Sequence, residues 1–450
     1  MKSKNMRTTV LISVFIAILA INFGLLFSTL NSNSPTQQIK LINDLRTSAV
    51  YNTSIEIDDT NPASDWATQK AAGICTGSGT VADPYIIRDH VFNSFLNIQH
   101  SRKHFRVLNC EFTDDVYGMW ILNISNGLIK DNHVSNALFG FDIMNCSYLE
   151  FRNNNCSLLS NTGIFAQTSN DLSFYSNIVS NNPTNGFTLN ILENCILEGN
   201  TVNENGNFGI SITGSEDTII YKNTVAHNSA NGIELSSSNN LTIVENEVFD
   251  NSQNGIRVFS SDENRLDSNN FHHNGEDGIQ LISNSQQNIL NGNLASFNNL
   301  SGIALYTNCP NNLISDNTAS NNKHHGFYIY NSNNNLITLN RANDNTLNGI
   351  QLILSDRNSI TSNTVYNNVN GTNLISSNNN IIYGNNLANN IYCYNETNCI
   401  NNLYFDNICT APITPTPDLV SFFLGLVIGL GALAAVIAVI GQSFVRGRKK

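Results

Sequence analysis

Apolar positions along this chain recur with two periods at once. Over short stretches they alternate with polar residues, as in Gly232-Ile-Glu-Leu and Gly255-Ile-Arg-Val, which is the pattern of a half-buried strand. Over longer distances the pattern itself repeats. A glycine, in all but the last case followed by an apolar residue, stands at 118, 140, 163, 186, 209, 232, 255, 278, 302, 326, 349 and 371. The intervals are 22, 23, 23, 23, 23, 23, 23, 24, 24, 23 and 22 residues. Each period carries a second apolar position (Phe151 through Ile382), then an Asn three residues on, then another apolar position two residues later (Val179 through Val365).

No 3.6-residue period competes with this grammar, and strands so short cannot form a sheet alone. Stacking the coils solves both problems, because each strand then pairs with its counterpart about 4.8 Å above and below. A fixed period in this range means a solenoid, and parallel crossovers are right-handed. The pattern therefore predicts an all-β fold, a right-handed parallel β-helix solenoid with coils of about 23 residues.

The asparagines fall in columns. One runs from Asn177 to Asn363, a second from Asn182 to Asn390, and a third from Asn264 to Asn380. Asn tolerates the left-handed conformations of a bend, and its amide can bond the equivalent amide one coil away. In the first half the third position holds Leu149, Leu172, Cys195, Thr218 and Leu241. That switch predicts a change of cross-section near residue 264.

The ends read differently. Residues 1–30 form a signal peptide or signal anchor, with Lys2, Lys4 and Arg7 ahead of an apolar stretch. Residues 31–80 are expected to cap the solenoid, with Ile39, Ile42 and Leu45 at helical spacing, and 391–410 to cap its other end, since open coils need covering. The β-helix is assigned to 81–390. A Pro/Thr linker (411–418) leads to a transmembrane helix at 419–441, followed by the basic tail 442–450 with Arg446, Arg448, Lys449 and Lys450. The expectation is a single-pass protein of the cell membrane, its membrane partner met through the C-terminal helix, with the bulk of the chain extracellular.

Composition narrows the partners. Only 12% of residues are charged, the net charge is −12 and the pI is near 5.1. No basic stripe lies outside the two ends, so nucleic acid is not expected. Nine cysteines do not make a dense framework. Cys156 and Cys195 fall at inward positions, while Cys393, Cys399 and Cys409 cluster after the last clear coil and offer one disulfide.

Units such as Asn223-Thr-Val225, Asn228 and Gly232-Ile-Glu-Leu resemble the parallel β-helix repeat of the NosD-like family, part of a wider group of carbohydrate-binding and sugar-hydrolysing β-helices. The motif Gly77-Ser-Gly-Thr with Asp83-Pro-Tyr-Ile-Ile87 is similar to the first turn of such proteins in archaeal cell-surface chains. The resemblance implies the fold; it leaves the activity open, because the fold hosts enzymes, adhesins and spacers alike.

On a β-helix a site is built from equivalent positions of neighbouring coils. The near-constant period leaves no room for a large catalytic loop, and glycoside hydrolysis needs two carboxyls at roughly 5–9.5 Å. Asp114-Asp115 has no matching acid one period away, and Glu216-Asp217 and Asp262-Glu263 read as solvated turns. Two columns carry chemistry. Glu204, His227, Asp250 and His273 follow one another on four coils, a ligand set that suits Zn²⁺ or Cu²⁺; a divalent metal there is the one cofactor the sequence admits. The second column holds Phe259, Ile282, Tyr306, Tyr330 and Ile353, pointing outward, with Tyr328 beside it. An apolar strip of this kind marks an interaction surface. The expectation is a non-enzymatic extracellular protein that binds glycans or a protein partner through Phe259, Tyr306, Tyr328 and Tyr330. The alternatives are a polysaccharide lyase, hydrolase or epimerase, or a metal-binding accessory protein.

Overall fold

The computed structural model describes residues 48–113 and 116–410. The two apolar end segments, the linker, the basic tail, the helical spacing at Ile39–Leu45 and the Asp114-Asp115 pair lie outside these residues. Among the described residues no helix is long and apolar enough to cross a membrane.

Within them the chain is a stack of coils, each contributing up to three short strands. The first strand follows the repeat glycine, as in Ile210–Thr213, which pairs in parallel with Ile233–Ser236. The second, Ile219–Tyr221, pairs with Thr242–Val244, and the third, Thr201–Asn203, with Thr224–Ala226. Every strand pairing is parallel and joins adjacent coils, as the period requires. Inward side chains of all three strands fill the interior, where Ile212, Ile220, Val225 and the expected Cys156 and Cys195 have no exposed surface.

The glycine column exists because the corner is crowded. A Cβ on Gly209 would sit 2.5 Å from Val225 Cγ1 and 2.6 Å from the carbonyl oxygen of Gly232. No side chain fits at that distance.

The asparagine columns are hydrogen-bonded ladders. Asn223 donates from Nδ2 to Asn246 Oδ1 (3.0 Å) and to Leu197 O (2.9 Å), and its backbone N–H also reaches Asn246 Oδ1 (2.9 Å). This ladder runs further than its sequence column, from Asn132 to Asn407. The left-handed residues, however, are not the ladder asparagines. They are the residues just before them: Lys222 (φ 53°) before Asn223, His227 (φ 56°) before Asn228, and Glu263 (φ 58°) before Asn264. The preceding residue makes the bend, which frees the Asn amide to turn inward and bond.

A further ladder escaped the sequence reading. Ser215 N–H donates to Ser238 Oγ (3.1 Å), Ser238 N–H to Ser261 Oγ (3.0 Å) and Ser261 N–H to Ser285 Oγ (3.2 Å). Serine turns this corner with one acceptor, in the manner of the asparagines at the other corners.

The expected change of section at residue 264 does not occur. Strand pairing continues across it, Ile243 opposite Leu266, and Leu241 N–H donates to Asn264 Oδ1 (2.9 Å). At residue 264 itself the filling of one corner changes, from mostly apolar side chains to amide. The two 24-residue intervals have a local cause: the bend after the first strand gains one residue, giving paired left-handed positions at Ser283-Asn284 and Thr307-Asn308.

Both ends depart from the expected boundaries. The stack already begins inside the N-terminal segment, since Val50–Tyr51 pairs with Val91–Phe92 and Ile55–Asp58 with Leu96–Gln99. The cover is helix α1 (Trp66–Ala71), capped by Asp65 through its carboxylate to Thr68 N–H (2.8 Å). Its Trp66 is buried against Tyr85, ring centroids 4.8 Å apart. At the other end, residues 391–410 continue the stack instead of capping it: Tyr392–Thr397 pairs with Asn370–Ile375, and Leu403–Phe405 with Ile381–Tyr383. The cysteine cluster does contain one disulfide, Cys393–Cys409.

Candidate functional site

The outward column lies where its spacing placed it. Phe259, Ile282, Tyr306, Tyr330 and Ile353 occupy consecutive register positions of the first strands. They are half-buried, not fully exposed, because rings from adjacent coils close on one another. Tyr306 and Tyr328 have centroids 5.3 Å apart, and Tyr328 stacks on Tyr330 at 6.4 Å and on His325 at 5.3 Å. Phe259 is capped by the Arg257 guanidinium, 5.1 Å from its ring centre.

A polar network runs beside these rings, and the sequence reading missed it. Asp277, immediately before the repeat glycine 278, has no exposed surface. Its carboxylate accepts from Ser301 N–H (2.8 Å), Gln280 Nε2 (3.2 Å) and the Tyr306 hydroxyl (3.3 Å). Burial dominates these bonds and pushes its carboxyl up to about 6. The Tyr306 hydroxyl is raised, first by burial and then by the Asp277 charge. Two coils away Glu234 pairs with Arg257 (3.0 Å) and accepts from Asn231 Nδ2 (2.7 Å); burial raises it in spite of the arginine.

His325 closes the other side. Burial, then the neighbouring His324, lowers it to about 4. Its Nδ1 accepts the backbone N–H of Asn348 (3.3 Å), so the neutral ring carries its proton on Nε2. The signal in the sequence was faint. Asp277 and His325 stand just before the glycine, where Asn231, Asn254 and Asn348 stand in other coils, and look like ordinary turn residues. The combination can bind a ligand with both apolar faces and hydroxyls, and its rings connect a carboxyl at Tyr306 to an imidazole at Tyr328.

The metal column is not brought together. Glu204, His227, Asp250 and His273 are the left-handed residues before the second Asn ladder (φ 56°, 56°, 53° and 57°), and all four are exposed. That geometry turns each side chain out to solvent. His227 instead meets Phe249 edge-on (5.7 Å), and His273 stacks on Phe297 (5.2 Å). Among the described residues no three His, Cys, Asp or Glu side chains are placed to hold a metal ion. Glu216 and Asp262 sit at bends along one edge, with Asn239 between them.

Comparison with known proteins agrees with the coil geometry. A family model described as the periplasmic copper-binding protein NosD matches residues 82–255, and one described as a right-handed β-helix region matches 193–330. No curated protein matches the chain. Among solved structures, the A-module of the Azotobacter vinelandii mannuronan C-5 epimerase AlgE4 aligns at 13% identity over 80% of this chain and 99% of that one, with a TM-score of 0.43. The periplasmic alginate epimerase AlgG aligns at 16% identity over 75% and 82%, TM-score 0.43. The Dettilon tailspike protein aligns at 14% identity over 67% and 62%, TM-score 0.42. The two matched stretches lie wholly within the stack of coils and support a right-handed β-helix family for this body.

Proposed function

We propose that this chain is a saccharide-binding solenoid that works outside the cytoplasm, with the ligand laid along the first-strand face between Glu234 and Tyr330. One observation carries the reading: the rings of Tyr306, Tyr328, Tyr330 and His325 form one connected cluster, and its Tyr306 hydroxyl donates to the buried Asp277 carboxylate. Sugars present apolar C–H faces and hydroxyl edges together, and apolar lining with a few convergent polar groups is how small-ligand sites are built. The periplasmic description of the matched NosD model supports the compartment. Full-length protein on a glycan array tests the reading. Tyr306→Ala with Tyr328→Ala should weaken binding at least ten-fold while the β-sheet signal in circular dichroism is retained. Unchanged binding refutes it.

A second reading, a polysaccharide lyase, hydrolase or epimerase, is favoured by the Asp277 carboxyl at about 6 beside the Tyr306 hydroxyl, groups suited to proton transfer. Turnover of acidic polysaccharides that disappears in Asp277→Asn would establish it.

A further inference from the structure

Six coils before Asp277, the same outward face carries a second arrangement with a different chemistry. Asp142 lies on the strand Phe139–Met144, directly between Trp120 of the coil below and Phe165 of the coil above. It is an outward position, yet Asp142 is only 8% exposed. The rings around it are connected: Tyr117 stacks on Trp120 (6.0 Å) and on Phe139 (5.8 Å), and Phe139 leans on Phe165 (6.2 Å). Within this enclosure Asp142 Oδ1 is buried and finds no hydrogen-bond partner among the described residues.

The strand register gives the described neighbours of Asp142 on the two adjacent coils. The strand below presents Tyr117, Trp120 and Leu122, and the strand above presents Phe165 and Gln167. None is cationic, and the Tyr117 phenol is the one titratable group among them. A buried carboxylate oxygen that finds no partner among the described residues is costly to leave so.

We infer that Asp142, bracketed by Trp120 and Phe165, is a binding site for an organic ammonium group. Such a cation satisfies both halves of the enclosure, its charge meeting the carboxylate and its apolar shell the ring faces. A hydrated metal ion does not fit, since hard cations require several oxygen ligands and among the described residues no three His, Cys, Asp or Glu side chains are placed to hold one. A neutral ligand leaves the charge uncompensated. Burial alone holds the Asp142 carboxyl up at about 6, so it is ionised at neutral pH and available to a cation.

Trp120 reports on the site. The protein has two tryptophans, and the other, Trp66, is 1% exposed under the N-terminal cover. Full-length protein at pH 7.5 is titrated with choline and, in parallel, with its neutral isostere 3,3-dimethyl-1-butanol, following tryptophan emission. A saturable change with choline, weaker by at least ten-fold with the isostere and in Asp142→Asn, is the expected result. A glucosamine arm asks whether the ammonium is carried on a sugar. Choline affinity should also fall as pH drops below about 6, because protonation removes the charge. The inference is overturned if the isostere binds as well as choline, if choline gives no saturable change, or if Asp142→Asn binds as the parent does. Because the parent protein alone decides between choline and its isostere, a poorly folded variant does not blunt the test. Saccharide binding at Tyr306 is measured separately, and either site can fail without the other.

Discussion

At the scale of single residues, the fold depends on a division of labour between neighbours at each bend. One residue adopts the left-handed conformation, and the next, an Asn or Ser, turns inward to bond the coils around it. The sequence made the second of these legible and hid the first. Lys222, Glu245, Phe297 and Leu339 all take positive φ, and nothing in their chemistry announces it, since few non-glycine residues favour that conformation. The ladder residue is the one that cannot be replaced. Asn223→Ala removes the acceptor of Asn200 N–H and Nδ2 and the donor to Leu197 O. Each buried group left unpaired costs about 1–3 kcal/mol. We expect a loss of about 3 kcal/mol or more, measured by denaturant unfolding, whereas Lys222→Gly one position earlier is neutral or stabilising. Equal losses at both positions would contradict the division.

At the scale of the strand, register was readable because a period of 22 to 24 residues repeats it over eleven intervals. The aromatic column of Phe259, Tyr306 and Tyr330 fell out of that counting. Its polar companions did not, for a physical reason. Asp277 differs from the Asn of neighbouring coils by one atom, and only the closed environment makes it unlike a turn carboxylate. That environment gives a pH signature. The folded carboxyl lies at about 6, above its ordinary 3.8. A raised acid contributes its stability below about 4 and loses it as pH climbs through about 6. Asn at this place is neutral throughout. Asp277→Asn should therefore match the parent near pH 4 and exceed it at pH 7.5, by up to about 3 kcal/mol on the scale of 1.36 kcal/mol per pKa unit. Thermal melts across that range check this, and a gap that does not vary with pH would remove Asp277 from the account. His325, lowered to about 4, titrates in both proteins and cancels from the difference.

At the scale of the whole molecule, each coil touches chiefly its two neighbours, so stability is close to a sum over coils and their interfaces. Excising residues 209–231 removes one complete coil and brings Phe208 to Gly232, which restores every column in register. That shortened protein should fold with its strand content reduced in proportion. Excising 12 residues from the same coil puts apolar positions on the outer face and should abolish cooperative unfolding in calorimetry. If both deletions behave alike, the coils are not the units of the fold.

The asparagine ladders have a direction. In the ladder from Asn132 to Asn407 each side-chain amide donates to the Asn oxygen of the coil that follows, so these side-chain carbonyls all point the same way along the axis. At these corners each coil thus presents an Asn oxygen to the coil before it and a backbone N–H to the coil after it. Lengthening the column, by a duplicated coil or by another chain, can proceed only head to tail. A coil entered in reverse would set donor against donor at three corners at once, and the repeat can therefore grow by duplication but not by inversion.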